Sequence, residues 1–239
     1  MTSSSDSAEI VINMERPPSL ATTVASTIEE AIARGDMPPG TPIVESRMCE
    51  QLEVSRSTLR EGLRLLQDRG LIDMVPHRGA VVTLLTAHKA WEIYTLRMTL
   101  ESYAVRLTME QGLYTRALLD TLHAQFQQLY TLARQGSPLH LIEADMEFHR
   151  SLCSHCGHEM LLNALAGLRI QTRRFIMFTK LYHTDLKTEA ETHQPIWDAV
   201  QSGDVARAET SVRDHIREAG ELLVGKMRVL EAAEDGSST

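Results

Sequence analysis

Residues 54–61 read Val-Ser-Arg-Ser-Thr-Leu-Arg-Glu, and this stretch decides how the N-terminal part of the chain folds. Ser55 is well suited to cap a helix, because its hydroxyl can accept a hydrogen bond from a backbone N–H of the first turn. Gly70 follows at a distance where a helix commonly ends in a left-handed residue. The sequence therefore predicts a helix from about residue 56 to residue 69.

This predicted helix has two different faces. Apolar residues fall at helical spacing along one side: Leu59, Leu63 and Leu66. Arginines recur every four residues along another side: Arg56, Arg60 and Arg64. A row of three arginines is usually a solvated helix face, so the neighbouring elements must decide whether this one binds a partner.

The neighbouring elements favour a DNA-binding module. Apolar spacing and turn residues predict two more helices and a hairpin: helices over about 20–33 and 45–52, and strands over 71–75 and 80–83 joined by a turn at 76–79. Three helices followed by a hairpin is the order of a winged helix-turn-helix, which we assign to residues 19–84. The turn contains His77, Arg78 and Gly79, a composition that can enter or flank a DNA groove.

The rest of the chain is predicted to be helical. Aromatic residues make up only 5% of the sequence, and no strand pattern occurs beyond residue 86. Amphipathic stretches predict about six helices: 87–111, 114–134, 138–155, 158–181, 184–202 and 204–231. The predicted fold is thus mainly α, with an N-terminal winged helix-turn-helix of three helices plus hairpin wing, followed by an all-α helical bundle over 87–231. The polar segments 1–18 and 232–239 are predicted to be flexible tails.

Charge and composition exclude several classes of protein. A net charge of -8 argues against a protein that coats nucleic acid non-specifically, because such binding needs a broad basic surface. No apolar run is long enough for a membrane span, and no signal peptide is evident, so we expect a cytoplasmic protein with no membrane partner. Three cysteines are too few and too unevenly placed for a disulfide framework.

The arginine-rich helix supplies the candidate DNA contacts. A guanidinium group can grip a phosphate or pair with the edge of guanine in the major groove. Short hydroxyl side chains at a helix N-terminus add donors beside backbone N–H groups that favour phosphate. The candidate DNA-binding residues are Ser55, Arg56, Ser57, Thr58, Arg60, Arg64, His77, Arg78 and Gly79.

Residues 33–82 resemble the DNA-binding domain of the GntR family. The resemblance is carried by Gly35, Pro39-Gly40, Glu45, Leu52, Val54-Ser55-Arg56, Leu59-Arg60-Glu61, Leu63, Leu66, Gly70-Leu71-Ile72, Pro76, Arg78-Gly79-Ala80 and Val82. It implies that Arg56 and Arg60 make the principal DNA contacts, that Ser55 and Ser57 touch the DNA backbone, and that the wing contributes His77, Arg78 and Gly79. The chain departs from the family pattern at Thr58, where proline is common, and at Gly62, where alanine is common.

The predicted helical domain contains a candidate metal site. Asp145 and His149 lie four residues apart and so share a helix face, and His193 and His215 are placed on two later helices. One carboxylate and three imidazoles suit a divalent ion such as zinc, nickel or manganese. The sequence contains ten histidines, however, so spacing alone also allows a chance pairing.

Residues 90–230 resemble the all-helical effector-binding FCD domain of the FadR-type branch of the GntR family. The phrases at 144–149, 199–204 and 214–216 carry this resemblance. It implies that Asp145, His149, His193 and His215 hold a metal ion. Arg97 and Glu101 also match the branch, which makes Arg97 the candidate anchor for an effector carboxylate, although a structural salt bridge to Glu101 explains it equally well.

Two other features of the helical domain have less support. Cys153 and Cys156 flank a motif that looks like a metal or redox site, but a second pair of ligands is missing. Cys153 lies four residues after His149, so we expect it either to line the same cavity or to be oxidised near a bound metal. Arg173 and Arg174 are expected to face the same cavity and are given no role.

These observations predict a regulator rather than an enzyme. We expect a homodimer that binds an inverted-repeat, double-stranded DNA operator, most often as a repressor, and responds to a small organic acid. The alternatives are a regulator that senses the metal itself and a metal-dependent helical enzyme. A di-iron bundle is disfavoured because no histidine has Glu three residues before it.

Overall fold

The computed structural model describes residues 19–179 and 185–237, with side chains described through 233. The predicted N-terminal tail, 1–18, lies outside the described residues. The N-terminal domain contains helices α1 (Leu20–Arg34), α2 (Glu45–Leu52) and α3 (Arg56–Asp68), and strands β1 (Pro42–Ile43), β2 (Ile72–Val75) and β3 (Gly79–Val82). The second domain contains helices α4 (Ala87–Glu110), α5 (Arg116–Arg134), α6 (Pro138–Cys153), α7 (Glu159–Thr179), α8 (Leu186–Glu191), α9 (Gln194–Ser202) and α10 (Val205–Ser237).

The N-terminal domain is a winged helix-turn-helix, as the sequence predicts. The leucine stripe of α3 is buried against α1 and the sheet, with Leu59 and Leu66 fully inaccessible to solvent. The wing is a three-stranded antiparallel sheet in the order β1-β3-β2, not the two-stranded hairpin that was predicted. Sequence analysis missed β1 because it is two residues long and contains Pro42, which lies at a sheet edge where a missing N–H is tolerated.

The second domain is all-helical among the described residues, which confirms the predicted fold class. It has seven helices there, because the helix predicted over 184–202 is two helices, α8 and α9. Pro195 lies in the first turn of α9, where backbone N–H groups have no partner within the helix. A proline is therefore tolerated there, and a new helix begins. At the other end, α10 continues through Ser237, beyond residue 231, where the sequence places the end of the domain.

Helices α4 and α10 form the centre of the bundle and run antiparallel. The backbone N–H of Ala87 donates to Oε1 of Glu231 at 2.8 Å, which ties the start of α4 to the far end of α10. Phe148, Phe175 and Ile216, from α6, α7 and α10, are buried in the core beside this pair. None of the helices in 19–179 and 185–237 combines the length and apolar character that a membrane crossing requires.

The close approach of α4 and α10 depends on one glycine. A β-carbon at Gly220 would lie 2.7 Å from Cβ of Tyr94, which is closer than nonbonded carbons pack, whereas one at Gly225 would meet no atom within 4 Å. We therefore expect Gly220→Ala to lower the free energy of unfolding by about 1–3 kcal/mol through overpacking. The matched change Gly225→Ala should raise it by about 1 kcal/mol, because alanine favours the helix.

Urea denaturation of the two variants and the wild type measures both effects. A stabilising Gly220→Ala substitution would show that α4 and α10 do not pack as closely as described.

Candidate functional site

The N-terminus of α3 presents a cluster of hydroxyls at the surface. Ser55 is the N-cap, as predicted, and its Oγ accepts a hydrogen bond from the backbone N–H of Thr58 at 3.2 Å. The same Oγ lies 2.8 Å from Oγ of Ser57 and 2.8 Å from Oγ1 of Thr58. The helix therefore begins with several polar groups beside the backbone N–H groups of its first turn, an arrangement that suits an anion.

The arginine face of α3 is exposed along its length. Arg56, Arg60 and Arg64 are all solvent-accessible, while the leucine face is buried. Nε of Arg60 lies 3.0 Å from Oε2 of Glu45 on α2, an ion pair that sequence analysis did not anticipate. Because the Arg60 side chain is 69% exposed, this pair holds the guanidinium over the α2–α3 surface without withdrawing it from solvent.

The wing tip is a tight turn between β2 and β3. His77 has a φ of 64° and Gly79 a φ of 75°, so two of the residues at the tip adopt left-handed backbone. The backbone N–H of Arg78 donates to the carbonyl of Val75 at 3.1 Å and closes the turn. The side chains of His77 and Arg78 are exposed on the tip.

The four predicted metal ligands come together inside the helical domain. Asp145 and His149 lie on α6, His215 lies on α10, and one candidate ligand atom from each of the four residues falls within 4.8 Å of the others. Nε2 of His193 lies 2.6 Å from Oδ1 of Asp145, and Nε2 of His149 lies 3.1 Å from Nε2 of His215. The sequence predicted that His193 lies inside a helix. In the structure it is instead the N-cap residue of α9.

Outer contacts fix how two of these imidazoles are oriented. Nδ1 of His149 lies 2.8 Å from Oε2 of Glu101, and Nδ1 of His193 lies 3.1 Å from the carbonyl oxygen of Glu189. Carboxylate and carbonyl oxygens accept hydrogen bonds only, so in both histidines Nδ1 carries the proton. Nε2 of each ring is then the nitrogen that faces the other members of the cluster, as outer-shell partners arrange for metal-binding histidines.

Burial and close contacts shift the pKa values within the cluster. Burial alone would lower the pKa of His193, but its contact with Asp145 raises it above the ordinary value. Burial alone would raise the pKa of Asp145, but contact with His193 and the neighbouring histidines holds it below the ordinary value. Burial lowers the pKa of His215 well below its usual range, and its histidine neighbours lower it further, so this ring is neutral. The buried Nε2 of His193 has no hydrogen-bond partner of good geometry in the described part of the chain, although Asp145 is adjacent.

Arg97 and Glu101 extend the cluster towards α4. Nε of Arg97 lies 2.7 Å from Oε1 of Glu101, so the predicted structural salt bridge is present. Burial would raise the pKa of Glu101, but Arg97 and His149 bring it down to about 2, so the carboxylate is ionised. The guanidinium also lies over the ring of Tyr94, 5.0 Å from its centroid, so Arg97 is held by two neighbours on its own helix.

Two cavities adjoin this chain of residues. The histidine-side cavity, of about 60 Å³, is lined by Arg97, Asp145, His149 and His215 together with apolar side chains from α6, α8 and α10. The interdomain cleft, of about 610 Å³, lies between α1, α4, α6 and α7 and is also lined by Arg97 and His149.

The cysteine motif is not brought together as a site. Cys153 is buried and lines the interdomain cleft, not the histidine-side cavity where the metal ligands meet. Burial raises the pKa of its thiol well above the ordinary value, which leaves it unreactive as a thiolate. Cys156 is a buried free thiol, and neither cysteine joins a cluster of metal-ligating side chains in the described part of the chain.

Arg174 does not face the cavity beside the histidines, contrary to prediction, but lies buried at the junction with the DNA-binding domain. Its Nη2 donates to the carbonyl of Thr83 at 3.1 Å and its Nη1 to the carbonyl of Gly70 at 3.4 Å. Nε2 of Gln171, one turn earlier on α7, donates to the carbonyl of Arg69 at 2.6 Å. We call Gln171 and Arg174 the α7 latch, because they hold the end of α3 and the residue after β3.

Gly70 lies directly against the latch. It follows the end of α3 with a φ of 67°, and a β-carbon there would lie 2.5 Å from Nε2 of Gln171. Arg173, the neighbour of the latch, instead pairs with Glu143 of α6 at 2.7 Å on the surface.

A winged helix-turn-helix with an exposed arginine face, joined to a helical domain, defines a DNA-binding transcription regulator. Residues 20–82 match the family described as "Bacterial regulatory proteins, gntR family", and residues 92–218 match the "FCD domain". The chain therefore belongs to the GntR family and carries an FCD-type helical domain, which confirms the resemblance found in the sequence.

Relatives of known name are also regulators. The chain is 30% identical over 199 residues to a "Probable D-xylose utilization operon transcriptional repressor" of Paenarthrobacter nicotinovorans, covering 82% of this chain and 86% of the relative. It is 27% identical over 226 residues to the "Glc operon transcriptional activator" of Escherichia coli K12, covering 85% of this chain and 88% of the relative. Relatives of both regulatory signs thus share this sequence pattern.

Solved structures have the same fold. Escherichia coli McbR/YncC matches with a TM-score of 0.71 and 18% identity, covering 87% of this chain and 98% of the other. A GntR transcriptional regulator from Rhodococcus sp. RHA1 matches with a TM-score of 0.70 and 23% identity, covering 86% of this chain and 97% of the other.

The latch predicts unequal effects for two adjacent arginines. Arg174→Gln leaves the buried carbonyls of Thr83 and Gly70 without their donor, so we expect a loss of about 1–3 kcal/mol in the free energy of unfolding. Arg173→Gln removes only an exposed ion pair and should cost about 0–1 kcal/mol. Chemical denaturation of both variants makes the comparison, and equal losses would contradict the described junction.

Proposed function

We propose that this protein is a homodimeric regulator, acting as a repressor, that binds an inverted-repeat operator and responds to a small organic acid held beside a divalent metal ion. The observation that carries the proposal is the convergence of Asp145, His149, His193 and His215 in the domain joined to an exposed recognition helix. A dimer would place one DNA-binding domain on each half-site of a palindromic operator.

The DNA contacts are proposed for the exposed polar face of α3 and the wing. The net charge of -8 requires these contacts to be local, because the rest of the surface repels DNA. The residues proposed to contact the operator are Ser55, Arg56, Ser57, Thr58, Arg60, Arg64, His77, Arg78 and Gly79, of which all but Thr58 are exposed.

A first experiment tests the recognition helix. The probe is a labelled DNA fragment from the region upstream of the protein's own gene, and fluorescence anisotropy measures its dissociation constant. Replacing Arg56 or Arg60 with alanine should weaken binding by roughly 10-fold to 100-fold, because each guanidinium is expected to contribute about 1–3 kcal/mol to the complex. If the arginine binds a phosphate, its removal also reduces by about 1 the magnitude of the slope of log association constant against log salt concentration.

The matched control is Arg116→Ala. Arg116 is an exposed arginine on α5 of the helical domain, so its removal changes the net charge equally without touching α3. A reduction of affinity in Arg116→Ala equal to that in Arg60→Ala would mean that charge alone, not the recognition helix, determines binding. Light scattering on the same samples should give twice the chain mass of 26.8 kDa.

The donor set supports a divalent metal. Nε2 of His149 lies 3.1 Å from Nε2 of His215, and Nε2 of His193 lies 2.6 Å from Oδ1 of Asp145, so the donor atoms of all four residues face one another. A divalent ion between them would compensate the buried charge of Asp145. Three imidazole nitrogens and one carboxylate oxygen are the ligands that zinc, nickel and manganese accept, and Asp145, His149, His193 and His215 would hold such an ion.

Arg97 is proposed to anchor the carboxylate of the effector. Its side chain lines the histidine-side cavity, and its Nε is already fixed by Glu101, so the guanidinium is oriented before a ligand arrives. A bound metal would supply a second positive charge for the same carboxylate. The cavity of about 60 Å³ has room for about two waters by liquid volume, or for a carboxylate group of comparable size.

A second experiment tests the ligand set. We expect wild-type protein purified without chelator to hold one divalent ion per chain by elemental analysis, and His149→Ala and His215→Ala to hold far less. The control is His155→Ala, because His155 is an exposed histidine that bonds only to Ser154 and lies outside the cluster.

Cobalt substitution gives an independent readout, since its visible absorption reports the number and type of ligands. Equal metal in wild type and His149→Ala would remove the proposed site.

The small volume of the histidine-side cavity favours a second candidate, a regulator that senses the metal itself. Adding acetate to metal-loaded protein separates the two, because a true ligand raises the melting temperature by mass action. A melting temperature that responds to metal and never to a carboxylate would favour the metal sensor.

A further inference from the structure

The interdomain cleft is large enough to hold most of a small molecule. Its volume of about 610 Å³ falls in the range of about 300–1,000 Å³ that is usual for ligand pockets. The histidine-side cavity, at about 60 Å³, is too small for anything beyond the head group of an effector. Arg97 and His149 line both spaces, so a carboxylate that enters the cleft also reaches a wall formed by Arg97.

The lining of the cleft divides into polar and apolar parts. Arg97, Glu101 and His149 form its inner polar end. The walls are apolar and come mostly from α6 and α7: Met146, Leu162, Leu165, Ala166 and Ile170. An occupant that fits this lining has one polar end and an apolar body.

The charge of the cleft favours an anionic polar end. Three arginines and two glutamates line it, and both glutamates are already paired, since Glu101 pairs with Arg97 and Glu29 pairs with Arg69 at the C-terminal end of α3. Arg150 and Arg169 lie at the exposed mouth and share Glu147. The two arginines at the mouth have one glutamate between them, so the entrance to the cleft is positively charged and attracts an anion.

We propose that the effector is an amphipathic monocarboxylic acid, whose carboxylate pairs with Arg97 and whose apolar body occupies the interdomain cleft. This inference rests on the proposed function and names its ligand class. Short acids such as acetate would pair with Arg97 without reaching the apolar walls, whereas acids with a longer chain would also pack against α6 and α7.

An occupant of the cleft also lies against the elements that hold the DNA-binding domain. Ile170 lines the cleft and packs against the apolar core of the winged helix, and Glu29 brings α1 itself into the lining. The latch residues Gln171 and Arg174 follow on the same helix. The apolar body of the ligand would thus contact α7 at Ile170, one residue before Gln171, which hydrogen-bonds to the end of α3.

The test is a chain-length series on zinc-loaded, full-length protein. Isothermal titration calorimetry measures the dissociation constants of acetate, butyrate, hexanoate and octanoate. We expect the affinity to rise roughly 4-fold for each methylene that enters the cleft, the fold-change that corresponds to burying one CH₂ group. 1-Octanol, which has the same chain without the carboxylate, should bind at least roughly 10-fold more weakly than octanoate.

Two substitutions on α7 provide the matched comparison. Ala166→Phe fills the cleft and should flatten the series, leaving acetate binding and zinc content unchanged. Ala164→Phe adds the same side chain two residues away at an exposed position outside the lining, and should leave the series intact. Ala166→Leu adds a smaller side chain and should give an intermediate gain in affinity per methylene. It replaces Ala166→Phe in the comparison if that variant does not fold.

The outcomes separate this inference from the proposed function. Acetate binding with no improvement for longer chains overturns the cleft inference alone, as does a full series in Ala166→Phe. Octanoate binding without acetate binding supports the cleft and counts against a carboxylate site beside the metal. Binding of no acid in this series overturns both.

Discussion

The helical domain is organised around charges that it buries. Arg97, Glu101, Asp145 and three histidines lie inside a helical bundle, where an unpaired charge costs several kcal/mol. The contacts form a path from Arg97 through Glu101 to His149, from His149 to His215, and from Asp145, on the same helix as His149, to His193. Glu101 thus joins α4 to α6, His215 joins α10 to α6, and His193 joins the start of α9 to α6.

The buried charges of the helical domain lie close to the DNA-binding domain. His149 and Arg97 line the interdomain cleft, and α7 forms the wall opposite them. Further along α7, Gln171 and Arg174 hold backbone carbonyls at the end of the recognition helix and after the wing strand. A rigid helix that touches both a ligand space and the DNA-reading elements is a physical route by which one can bias the position of the other.

Sequence patterns predicted the features that depend on local periodicity. The N-cap Ser55, the buried stripe of Leu59 and Leu66, and the shared face of Asp145 and His149 follow from helical spacing and are present in the structure. The interactions that were missed act over long sequence separations. Arg174 reaches a carbonyl 91 residues away, and Glu101 reaches His149 48 residues away, so no local pattern marks either interaction.

Short elements and caps were the other source of error. A two-residue strand such as β1 has too little sequence to show alternation, and it exists only because β3 offers it an edge. His193 was placed inside a helix because its flanking segments are both helical. The structure ends one helix before it and begins another after it, which lets the ring turn into the cluster.

We propose that occupancy of the histidine cluster controls DNA binding. The most direct measurement is the operator dissociation constant of chelator-treated protein, of zinc-loaded protein, and of zinc-loaded protein with octanoate, all at one salt concentration. We expect at least one step to change the constant by about 5-fold or more, the usual scale of allosteric coupling, and His149→Ala to remove the zinc-dependent step. The same constant in all three states, in protein shown to contain zinc, would contradict it.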